Sequence, residues 1–99
     1  MLKVKTGVRP WNLVIAAAAI NSADGLGFDV VITSGIDGVH KRDSKHYSGN
    51  ALDLRRYNIP SRYLYLYLDR LRSRLGPDYD VILESDHIHV ERDPKSVVK

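Results

Sequence analysis

The chain has 99 residues, 43% of them hydrophobic, which is apolar material for one core and not two, so a single domain over residues 1–99 is expected. Its 15 Lys and Arg against 12 Asp and Glu give a net charge of +3, with no basic block of the kind that marks a nucleic-acid arm, and no nucleic-acid partner is expected. The absence of cysteine excludes disulfides and thiolate metal sites and leaves His and carboxylate to hold any metal.

The opening "MLKVKTGVRPWNLVIAAAAINSA" has the outline of a signal peptide, with Lys3, Lys5 and Arg9 ahead of an apolar run that ends in small residues. Leu13 to Ile20 is far shorter than the ~20 residues that span a bilayer, and Pro10-Trp11-Asn12 suits the first turn of a soluble helix. Neither a leader nor membrane insertion is expected. A helix is predicted from Pro10 to about Ala23, stopped by Asp24-Gly25. Phe28 to Thr33 is β-branched and ends in Ser-Gly, which predicts a strand. Gly35 to Ser48 is rich in Gly, Asp, Ser and Lys and reads as a long loop, a feature that usually carries function in so short a domain.

"ALDLRR" alternates, so Ala51 and Asp53 share one face of a strand and Leu52 and Leu54 the other. A second helix is opened by Pro60, carries Leu64, Leu68, Leu71 and Leu75 as its apolar stripe, and is closed by Gly76-Pro77. Tyr63, Tyr65 and Tyr67 cannot all share one helix face, so packing is expected of them rather than a stacking platform for single-stranded nucleic acid. "DYDVILE" and "HIHVE" read as two short strands or one bent strand interrupted at Ser85-Asp86, and "RDPKSVVK" as a loosely held tail. The expected fold class is α+β, a small, mostly antiparallel sheet packed against two helices.

All four histidines, His40, His46, His87 and His89, fall in two short windows. His87 and His89 are two apart in an extended segment, so their imidazoles leave the same side, about 7 Å apart at the backbone. One can bind a metal while the other touches what the metal binds. His46 precedes a turn carried by Gly49, which lets it bend back over the strand bearing Asp53, and Ala51 leaves room for an ion. Two His and one carboxylate make a catalytic zinc set that leaves a fourth position for water.

The spacing S-x-H-x-x-G-x-A-x-D, here Ser44, His46, Gly49, Ala51 and Asp53, is followed by D-x-x-H overlapping H-x-H, here Asp86, His87 and His89. This pair of motifs resembles the zinc D-alanyl-D-alanine carboxypeptidase and dipeptidase family. That family includes the L-alanyl-D-glutamate endopeptidases of phage endolysins and shares its core with the hedgehog signalling domain. The resemblance runs from about Val30 to Glu91. It implies one zinc ion per chain held by His46, Asp53 and His89, with Asp86 as general base, Glu84 as the rival base, and His87 as a non-ligand histidine near the scissile group. Ser44 would contact substrate or brace the loop. Members often carry an Arg two residues after an upstream Ser-Gly, but Asp37 stands there in this chain. The oxyanion role is left to His40, Lys41 or Arg42.

The function so implied is a zinc metallopeptidase that hydrolyses amide bonds in peptidoglycan stem peptides, of the D-Ala-D-Ala carboxypeptidase or L-Ala-D-Glu endopeptidase type. A monomer is expected, and a compact phage-encoded enzyme acting on the host cell wall would account for a wall hydrolase without a leader. The alternative is a non-catalytic, zinc-stabilised binding module of the same fold.

Overall fold

The computed structural model describes residues 2–4, 13–34 and 51–93. In chain order these form β1 (Leu2–Val4), α1 (Leu13–Ser22), β2 (Val30–Ser34), β3 (Ala51–Arg55), α2 (Ser61–Leu75), β4 (Tyr79–Leu83) and β5 (His87–Arg92). The strands make one five-stranded sheet in the order β1-β2-β3-β5-β4. β1 pairs parallel to β2, and every other pair is antiparallel. The architecture is α+β, a small and mostly antiparallel sheet packed on two helices, as the element order predicts.

The period-2 pattern of β3 and β5 decides which face meets the helices. Leu52, Leu54, Ile88 and Val90 point into the core beside Val81 of β4 and the buried stripe of α2, Leu64, Tyr67, Leu68 and Leu71. Residues of the other parity, Asp53 on β3 with His87, His89 and Glu91 on β5, are thereby left on the face away from the core, each partly exposed.

α1 contains no charged residue and buries Ile15, Ala16, Ala18, Ala19 and Ser22. Tyr67 of α2 is fully buried; its hydroxyl donates to the Ala19 carbonyl at 2.9 Å, and its ring meets that of Phe28 in a T-shaped contact at a centroid distance of 5.0 Å. Burial pushes its phenol far above the ordinary range. Tyr65 is exposed and Tyr63 half-buried, so the three tyrosines do occupy different faces.

Three boundaries differ from the sequence reading. β1 was not expected, since three residues carry too little periodicity to register and the strand depends on its partner β2. β2 starts at Val30 rather than Phe28, because Phe28 packs on Tyr67 instead of joining the ladder. β5 runs through Arg92, and the Asp93 amide donates to the Asp78 carbonyl at 2.7 Å, so the segment read as tail is strand at its start. α2 runs as predicted between Pro60 and Gly76, whose φ of 83° supplies the left-handed stop. "DYDVILE" and "HIHVE" form two antiparallel strands, with the Glu84 amide donating to the His87 carbonyl at 2.9 Å across the turn.

Candidate metal centre

The antiparallel register of β3 and β5 sets Ala51 opposite Glu91, Asp53 opposite His89, and Arg55 opposite His87. Directly paired residues on one face have Cβ atoms about 4.5–5.5 Å apart, so a carboxylate and an imidazole placed there must meet. They do: His89 Nδ1 lies 2.9 Å from Asp53 Oδ1, and His87 Nε2 lies 3.6 Å from the same oxygen. One donor atom from each of Asp53, His87 and His89 lies within 4.8 Å of the others, and all three residues are half-buried. Two nitrogens and a carboxylate oxygen suit zinc at about 2.0–2.2 Å each, which puts tetrahedral ligand atoms about 3.3 Å apart. The separations of 2.9 and 3.6 Å bracket that value, so the donor set fits a metal ion.

Both ring nitrogens of His89 face carboxylates, since Nε2 lies 2.9 Å from Glu91 Oε1. The hydrogen bond with Asp53 is the main cause that holds the imidazole above its ordinary value, and partial burial opposes it. As an imidazolium His89 donates to both acids. A metal between Nδ1 and Oδ1 would take the place of one proton.

His87 turns its Nδ1 to Asp86 Oδ1 at 2.6 Å. Asp86 is 83% exposed, and the hydrogen bond and charge of His87 hold its carboxyl below the usual range. The acid thus meets the Asp53 group through His87 rather than directly. Glu84 is exposed at the start of the β4–β5 turn. Arg56 reaches that turn, donating to the Glu84 carbonyl at 2.6 Å and the Ser85 carbonyl at 3.4 Å, so it grips the backbone that carries Asp86.

Of the ligands implied by the motif resemblance, Asp53 and His89 are adjacent, and His46 lies outside the described residues, as do Ser44, His40, Lys41 and Arg42. His87, expected beside the scissile group, stands within the donor cluster itself. Two contributors escaped the sequence reading. Glu91 was legible in principle, as a third polar residue at spacing two in "HIHVE". Arg56 was not, because its contact depends on where the distant turn lands. A cleft of about 330 Å³ between the end of α1 and the start of β2, lined in part by Ile20, Asp24, Phe28 and Asp29, shares no residue with this group. Among the described residues no helix is long and apolar enough to cross a membrane. No protein-family model matches the chain, and no curated protein matches it.

Proposed function

We propose that the chain is a zinc-dependent peptidase that hydrolyses amide bonds in peptidoglycan stem peptides. The observation that carries the reading is the apposition of Asp53 and His89 at 2.9 Å, with His87 beside them, on the face of the sheet turned away from the core. The resemblance of the two motifs to the D-alanyl-D-alanine carboxypeptidase family adds the substrate class and a third ligand, His46. Asp53, His89 and His46 would hold the zinc, which when bound would supply a Lewis acid to polarise an amide carbonyl and lower the pKa of bound water to about 7.

The remaining chemistry belongs to the chain. Asp86, ionised and exposed, takes a proton from the attacking water and returns it to the departing amine nitrogen. His87 fixes the Asp86 carboxylate through Nδ1 and turns Nε2 toward Asp53, so it ties the acid to the donor cluster. Arg56 holds the backbone of the turn on which Asp86 rides. Glu84, exposed where β4 leads into that turn, is the rival base.

Asp86→Asn is expected to retain zinc and lose roughly 10²–10⁴ in kcat, with Glu84→Gln close to wild type. The check is mass spectrometry of muropeptides after digestion, alongside metal analysis of each variant. Reversed rates would move the base to Glu84. Absence of cleavage by a zinc-loaded wild type on several muropeptides would sink the peptidase reading.

The position of His87 favours a second reading. If His87 joins His46, Asp53 and His89 as a fourth protein ligand, the coordination shell is closed, which is the pattern of structural zinc sites, and the domain is a zinc-stabilised binding module. Cobalt substitution separates the two, since an open site changes its visible spectrum when small anions are added and a closed one does not.

A further inference from the structure

We infer that Glu91 is the positioning residue of the metal centre: by accepting the Nε2–H of His89 it fixes the ring so that Nδ1 faces Asp53. The inference rests on the metal-binding reading above and deepens it. An imidazole that binds a metal through one nitrogen has its tautomer set by the hydrogen bond of the other, and a carboxylate there both holds the ring plane and makes the ligand nitrogen more basic. Glu91 Oε1 is 2.9 Å from His89 Nε2, and the two side chains are only 21% and 18% exposed, so water competes weakly for the contact.

The strand geometry explains how a residue two positions along reaches back. Glu91 leaves β5 on the same face as His89, and its cross-strand neighbour is Ala51, whose methyl leaves the space a longer side chain would occupy. The glutamate carboxylate reaches back along the strand to His89 Nε2 at 2.9 Å; an aspartate would be one methylene short. With the Nε2–H engaged, the neutral ring presents a lone pair at Nδ1, 2.9 Å from Asp53 Oδ1, where the metal belongs. Without Glu91 the neutral ring is free to carry its proton on Nδ1 and donate it to Asp53, which closes the site to a metal.

A competing role exists, because Glu91 also stands with Asp80 and Asp93 in a group whose carboxylate oxygens lie within 4.8 Å of one another. The experiment therefore measures zinc stoichiometry and affinity by chelator competition in wild type, Glu91→Leu and Glu91→Gln. It adds nitrogen-15 NMR of the His89 ring in the zinc-loaded forms. One zinc per wild-type chain is expected, with affinity reduced roughly 10–100-fold in Glu91→Leu and partly restored in Glu91→Gln, whose amide oxygen still accepts the hydrogen bond. The His89 Nε2–H signal should be slow to exchange in wild type and Glu91→Gln. It should be lost to fast exchange in Glu91→Leu. Should Glu91→Leu fail to fold, a Glu91→Gln variant with an unprotected Nε2–H would overturn the assignment on its own. Equal zinc affinity and unchanged ring signals in all three proteins would also overturn it, while leaving the metal site intact. Two zinc ions in wild type and one in Glu91→Leu would make Glu91 a ligand instead. No zinc bound by wild type would remove the metal site and this role together.

Discussion

His89 is faced by Asp53 from β3, by Ile82 from β4, and by His87 and Glu91 along its own strand, so the metal-free ring sits between two acids. Its folded-state proton affinity is raised above the ordinary 6.5, and a raised value means that the folded chain holds the proton more tightly than the unfolded chain. The stabilisation is fully present below about pH 6.5 and is lost as the pH climbs through the raised value. In chelator, the melting temperature is expected to fall as pH rises above 6.5, and His89→Gln should flatten that slope. A wild-type profile that rises over the same range would contradict the ion-pair geometry. With zinc the sign reverses, since binding needs a neutral ring and improves as protons leave. The alternation that makes His89 and Asp53 partners is plain in "ALDLR" and "HIHVE", because spacing two assigns a face without any knowledge of the fold. Their apposition was not legible from spacing, because it depends on a strand register set across 36 residues.

At the scale of elements, one tyrosine that a hydrophobic count treats as a filler adds a hydrogen bond to the contact between α1 and α2, beside those of Arg70 to the Ser22 and Asp24 carbonyls. Ala16 and Ala19 are small enough to let the helices approach, and Tyr67 uses the approach to donate to the Ala19 carbonyl. Tyr67→Phe keeps the ring on Phe28 and removes the hydroxyl, which leaves a buried acceptor short of a partner and is expected to cost about 1–2 kcal/mol. For a domain of this size that is a fall of roughly 4–8 °C per kcal/mol in thermal melting. An unchanged melt would show that the carbonyl is satisfied within its own helix. α2 was legible to within a residue at each end because Pro60 and Gly76-Pro77 punctuate it chemically. β1 carries no such mark: "LKV" becomes a strand only by lying beside Val30 to Ile32.

For the molecule as a whole, a candidate site assembled from two strands would tie any metal binding to the fold. A ligand that binds only the native state stabilises it with the logarithm of its concentration over Kd, by about 2.7 kcal/mol at a hundredfold excess. Zinc is expected to raise the melting temperature and chelator to lower it, as read by circular dichroism with metal content checked in parallel. No shift on confirmed metal loss would place the site outside the cooperative unit. The strand order gives this coupling a time course. β4 and β5 are neighbours in sequence and form a local hairpin that already bears His87, His89 and Glu91, while Asp53 must arrive from beyond α2. Hairpins close in about 1–10 μs, and pairings across long stretches of chain come later. A refolding chain therefore offers zinc an incomplete set of donors until β3 docks on β5. On the proposed metal-binding reading the ion would act mainly as a lock on the finished sheet, so its effect should fall on the rate of escape from the native state and leave the rate of reaching it nearly unchanged.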